Sequence, residues 1–137
     1  MRPFEITDHT ADVGITAYGA TREELFANAA LGMLSIIGDP DTVAAKDTRE
    51  VQVQASDPAA LLAAFLGELL YLLEVEHFVF HDAVVETISE TEVRATINGE
   101  PLAPHHDLHT EIKAVTHHGL RVEHVGGTWE ANVLFDI

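Results

Sequence analysis

Cysteine is absent from the 137 residues. That excludes disulfides, thiolate metal sites and a cysteine nucleophile, and it agrees with a reducing, cytoplasmic address. Cations are scarce as well: 7 Lys plus Arg face 23 Asp plus Glu, giving a formal net charge of −16, and the only lysines are Lys46 and Lys113. A free nucleic-acid binder draws much of its affinity from Lys and Arg that displace phosphate counterions, so no direct, stable binding to RNA or DNA is expected. An acidic balance suits metal ions, a basic protein surface or a salty cytoplasm. A signal-peptide pattern is missing too, because Met1-Arg2-Pro3 leads straight into Phe4-Glu5-Ile6 and a polar motif. The main apolar run, between Leu61 and Leu73, is interrupted by Glu68. It falls short of the roughly 20 residues a bilayer span needs, so no membrane association is expected.

What is present reads as one domain, residues 1–137, since 47% hydrophobic content in a chain of this length supports a single core. Residues 4–7 are short and extended, and Val13, Ile15 and Ala17 alternate with Gly14, Thr16 and Tyr18 as in a half-buried strand. Thr21-Arg22-Glu23-Glu24 has capping-box spacing and opens a helix with an apolar stripe from Leu25 to Ile37, ended by Gly38-Asp39-Pro40. Residues 42–48 read as polar loop and 50–55 as a strand. Asp57-Pro58 then offers an N-cap and a first-turn proline to a second helix, about residues 59–75, apolar nearly all round and therefore buried. Strands are expected at 83–88 and 92–97, with a turn at Asn98-Gly99 and a polar loop holding Pro101 and Pro104. Residues 112–117, 120–125 and 129–135 read as three closing strands separated by His118-Gly119 and Gly126-Gly127. The order predicts an α+β fold, with two main helices packed against largely antiparallel β-sheet.

Carboxylates gather at both ends, in Asp8-His9-Thr10-Ala11-Asp12 and in Phe135-Asp136-Ile137. Trp129, Ala131, Val133 and Phe135 share one face of the last strand, which leaves Asp136 on the other, and Asp12 falls on the Gly14 and Thr16 face of its own strand. If the ends meet, Asp12, Asp136 and the α-carboxylate of Ile137 concentrate three negative charges. Two unit charges 4 Å apart repel by roughly 4 kcal/mol at an effective dielectric of about 20, so such a cluster calls for a hard divalent cation. Periodicity alone does not bring the ends together. On spacing by itself, turn-capping aspartates and a frayed strand end account for the same residues.

Several segments resemble the archease family in order along the chain. They are Asp8-His9-Thr10-Ala11-Asp12 with Val13-Gly14-Ile15, Glu24-Leu25-Phe26 with Ala29-Ala30 and Met33, and Leu61-Leu62 through Glu68-Leu69-Leu70-Tyr71-Leu72. Lys113-Ala114-Val115-Thr116-His117 and the terminal Asp136-Ile137 complete the series, so the likeness spans essentially the whole chain. The resemblance implies an archease-like fold and an accessory role: activation of an RtcB-type RNA ligase in tRNA splicing, by promoting its guanylylation and multiple turnover. It also implies a divalent-metal site at Asp12, Asp136 and Ile137, with calcium the first expectation and magnesium or manganese the alternatives. On this reading the chain is not itself an enzyme, and its partner is the ligase.

Other polar residues are weighed more plainly. His9 lies beside the expected metal and Lys113 is a candidate partner-facing or supporting residue, although a turn hydrogen bond for His9 and an ordinary salt bridge for Lys113 serve as well. His105-His106 with His109 has spacing seen in metal sites, yet lacks an assigned fourth ligand, and solvated loop histidines are the simpler reading. Two rivals come from other classes. One is a stand-alone metal-dependent hydrolase using Asp12 and Asp136 with His9 as base; the other is a general acidic chaperone or binding module. No nucleophile, phosphate-cradling glycine loop or second metal cluster supports the hydrolase.

Overall fold

A computed structural model describes residues 2–8 and 12–137. Its elements run β1 (Phe4–Asp8), β2 (Asp12–Gly19), α1 (Arg22–Ile37), β3 (Asp47–Gln54), α2 (Pro58–Glu74), β4 (Phe78–Ile88), β5 (Glu92–Pro101), β6 (Ala114–Val125) and β7 (Thr128–Asp136), with a short 3-10 turn at Pro40–Thr42. Both helices start at their expected caps. Thr21 accepts the Glu24 N–H at 3.1 Å, and Asp57 accepts the Ala60 N–H at 2.8 Å ahead of Pro58.

The strands form two antiparallel sheets, ordered β1-β2-β7-β6 and β3-β5-β4. Both helices touch both sheets. One buried cluster therefore unites Phe26 and Met33 of α1, Phe65 and Leu69 of α2, Ile15 and Phe135 of the first sheet, and Val93 and Ile97 of the second. The α+β architecture with antiparallel sheets is thus as expected. Among the described residues no helix is long and apolar enough to cross a membrane.

Three local expectations are corrected. Asn98-Gly99 is not a turn: both residues lie inside β5, paired with Asp82 and Phe80 of β4. A Cβ on Gly99 would collide with the Val79 carbonyl oxygen, so glycine is required there by close backbone approach. The hairpin turn lies earlier, where Ser89 donates its N–H to the Glu92 carbonyl at 2.8 Å and its hydroxyl accepts the Glu92 N–H at 3.1 Å. Next, the expected strands at 112–117 and 120–125 are replaced by one strand, β6, which starts at Ala114 and is bulged between Thr116 and Arg121 against β7, so two closing strands stand where three were expected. Finally, β3 begins at Asp47 inside the expected loop, because Asp47 and Thr48 pair with Gly99 and Asn98 of the lengthened β5. Gly126 and Gly127, with φ of 56° and 82°, make the expected tight connection from β6 to β7.

Gly99→Ala is expected to destabilise the protein by about 1–3 kcal/mol through overpacking against β4. Gly67→Ala is the control. That site is open on α2, and replacing a mid-helix glycine should stabilise by about 0.5–1 kcal/mol. Urea midpoints for the two variants test the contrast, and equal midpoints would contradict it.

Candidate metal centre

The alternation of β2 and β7 builds the site. Val13, Ile15 and Ala17 pair across the sheet with Phe135, Val133 and Ala131, and all six are buried. The same register places Asp12 opposite Asp136 on the other face, along with Gly14 opposite Leu134 and Thr16 opposite Asn132. Directly paired residues of antiparallel strands carry their Cβ atoms about 4.5–5.5 Å apart, and like charges so placed are destabilising. Among the described residues, neither carboxylate has a cationic partner within 4.0 Å. Asp12 Oδ1 is buried with no hydrogen-bond partner among them. An orphaned, buried carboxylate oxygen facing a second carboxylate fits a hard cation with oxygen ligands, such as calcium or magnesium.

The remaining expected site residues fall around this pair. Ile137 follows Asp136 directly and is 42% exposed. Lys113 is adjacent through its backbone, donating its N–H to the Asp136 carbonyl at 2.8 Å. Lys113 is among the residues lining a cleft of about 600 Å³, together with Ile37, Leu70 and Leu108. No ion pair holds Lys113 among the described residues. The role considered for His9, and with it Thr10, lies outside the described residues.

A second group of donors was missed by sequence reasoning. Glu100, His105 and His106 each offer a ligand atom, all within 4.8 Å of one another, and together could hold a metal ion. The histidine pair was visible in the sequence, but the supposed turn at Asn98-Gly99 placed Glu100 in a loop. It lies instead in β5, 5% exposed, and accepts a short hydrogen bond from the Ala44 N–H. That bond holds the Glu100 carboxyl below its ordinary pKa, outweighing the opposing effect of desolvation, with His106 adding to the lowering. His109 does not join the group. Its ring bonds the Thr110 hydroxyl at 3.0 Å, and it is among the residues lining the same cleft as Lys113.

Two helices against two antiparallel sheets, in this order, define an α+β class represented among solved structures. A Methanobacterium thermoautotrophicum protein, 1598, matches over 100% of both chains with a TM-score of 0.82 at 33% identity. An archease from Thermotoga maritima, described as a possible chaperone, shares the fold with a TM-score of 0.66 at 20% identity, over 100% of this chain and 98% of that one. The sequence matches the Archease protein family (MTH1598/TM1083) over residues 4–137, and the chain belongs to that family. It is 43% identical to protein archease of Methanosarcina mazei over 141 residues, covering 99% of this chain and 97% of that protein. To protein archease of Thermococcus kodakarensis it is 40% identical over 100% of both.

Opposed carboxylates make a two-sided prediction. In chelator, Asp12→Asn should raise stability by about 0.2–1 kcal/mol by removing a like-charge pair. In calcium at about 100 times the dissociation constant, the native protein should gain about 2.7 kcal/mol and the variant much less. Thermal melts in both conditions measure this, and equal calcium gains in the two proteins would rule out Asp12 as a ligand.

Proposed function

We propose that this chain is an accessory activator of an RtcB-type RNA ligase in tRNA splicing, promoting guanylylation of the ligase and its multiple turnover. A divalent ion, calcium first and magnesium or manganese next, is held by Asp12, Asp136 and Ile137. The observation that carries this reading is the register of β2 and β7, which sets Asp12 opposite Asp136 with one carboxylate oxygen unpartnered among the described residues, in a chain of the archease family. The formal charge of −16 supports a basic protein surface as partner rather than nucleic acid.

Forming a covalent guanylate requires neutralised phosphates and an oriented pyrophosphate leaving group. A bound divalent ion would supply positive charge for such phosphates. The residues of this chain have separate tasks. Asp12 and Asp136 present oxygens from paired strands and so fix their separation. The Lys113 amide bonds the Asp136 carbonyl and anchors the end of β7. Exposure of Asp136, Ile137 and Lys113 leaves this edge open to a partner's surface. Docking that selects a guanylylation-competent form of the ligase is the other route to the same outcome.

The test is a guanylylation and multiple-turnover assay of the cognate ligase, with and without this protein. The native chain is expected to raise both rates, and Asp12→Asn and Asp136→Asn to lose about tenfold or more of the effect. No change on adding the native chain would overturn the reading, as would hydrolytic turnover by the chain alone. Full stimulation by both variants would remove the ion from the mechanism and leave conformational selection.

A further inference from the structure

The group formed by Glu100, His105 and His106 belongs to the end of β5, in the second sheet, and the segment that follows it, whereas Asp12 and Asp136 belong to the first sheet. Two of its members are withdrawn from solvent: the side chain of Glu100 is 6% exposed and that of His106 is 0% exposed, whereas His105 remains 58% exposed. From Glu100 Oε2 the distances are 3.3 Å to His106 Nε2 and 3.8 Å to His105 Nε2. A tetrahedral ion with metal–ligand bonds of about 2.0–2.1 Å sets its ligands about 3.3 Å apart, so the spacing suits a shared metal. The two imidazole rings lie with centroids 4.2 Å apart. His106 Nε2 is buried, and although it lies 3.3 Å from Glu100 Oε2 it makes no well-directed hydrogen bond among the described residues. A fully buried imidazole nitrogen that faces a carboxylate without a well-directed hydrogen bond is better satisfied by an ion shared between the two.

The proton inventory adds a condition. The Ala103 N–H donates to His106 Nδ1 at 2.9 Å, so the neutral ring keeps its proton on Nε2. Ligation through Nε2 requires the other tautomer, since a metal-bound histidine ordinarily donates its second ring N–H outward. The proton must then move to Nδ1, and the Ala103 N–H must turn away. Ala103 also accepts the His106 N–H at 3.1 Å, so both bonds belong to one tight turn.

We propose that Glu100, His105 and His106 form a second metal site, for a borderline transition ion such as zinc, whose filling switches the His106 tautomer and resets the 103–106 turn. Two imidazoles and one carboxylate prefer such an ion to calcium, whereas the all-oxygen pair Asp12 and Asp136 prefers the reverse. Three protein ligands leave one coordination position open to water or to a donor from another molecule.

Cobalt is the spectroscopic probe and zinc the calorimetric ligand, on untagged, chelator-stripped protein. Cobalt should give the visible absorption of a four- or five-coordinate ion, displaced by one equivalent of zinc and not by excess calcium. His105→Ala, at an exposed position that does not endanger folding, and the near-isosteric Glu100→Gln should each weaken zinc binding by about tenfold or more. Asp12→Asn should leave it unchanged. Zinc should also shift the Ala103 amide resonance as its bond to Nδ1 breaks. Absence of the cobalt band, native-like zinc affinity in both variants, loss of zinc binding in Asp12→Asn, or an unmoved Ala103 amide would each overturn the proposal.

Discussion

The register between β2 and β7 is the constraint on which the molecule turns. A strand that slips by one residue exchanges its faces, so burial of one face fixes the other. Val13, Ile15, Val133 and Phe135 are each no more than 5% exposed, and burying side chains of this kind is worth about 1.5–3 kcal/mol apiece as an upper estimate. Facing like charges cost about a kcal/mol at an exposed strand pair, and a few at close approach. The apolar face therefore wins, and it holds Asp12 and Asp136 together on the outer face, where they pair. The core face rules out a slip by one residue, which would turn a carboxylate inward, and the observed register sets them directly opposite. Their repulsion is a consequence of the fold that a bound cation would offset.

That balance explains what could be read from sequence. Period-two alternation put Asp12 and Asp136 on non-core faces, and helix caps fixed the starts of α1 and α2, because these signals act within a few residues. The adjacency of the two aspartates was not available from periodicity, since pairing between the opposite ends of a chain depends on strand order. Ordered likeness to a family supplied that order. The errors have local causes too. Asn98-Gly99 carries turn chemistry, but here glycine serves the approach of β4, and Asn98 donates from its side chain to Asp82 at 3.0 Å. His118-Gly119 also looks like a turn; Gly119, with φ of 65°, instead lets β6 bulge and continue.

Misplacing one turn had a chemical consequence. With β5 ended at Ile97, Glu100 belonged to a solvated loop and His105-His106 lacked a carboxylate. Extension of β5 to Pro101 buries Glu100 against the segment around Ala44 and brings the histidines within reach. Local dipeptide signals thus hid a side-chain cluster that the extension of β5 makes visible. The two donor groups differ in kind as well as place: oxygen alone in one, imidazole with oxygen in the other. Their preferences among cations diverge for that reason.

They also differ in how far the chain must fold before they exist. Glu100, His105 and His106 are close in sequence, so the strand end and the turn after it bring them together. Asp12 and Asp136 become neighbours only when β2 and β7 have paired across the whole chain. Closing so long a loop costs entropy that rises only slowly with length, but it must be met before the pair can form. A cation held by both aspartates consequently binds the state with β2 and β7 paired and not one in which they have separated. By mass action such an ion stabilises the closed first sheet against any opening that parts those strands, including openings that leave the second sheet intact. The core selects the face, the register creates the charge pair, and an ion on that pair would return its binding energy to the register.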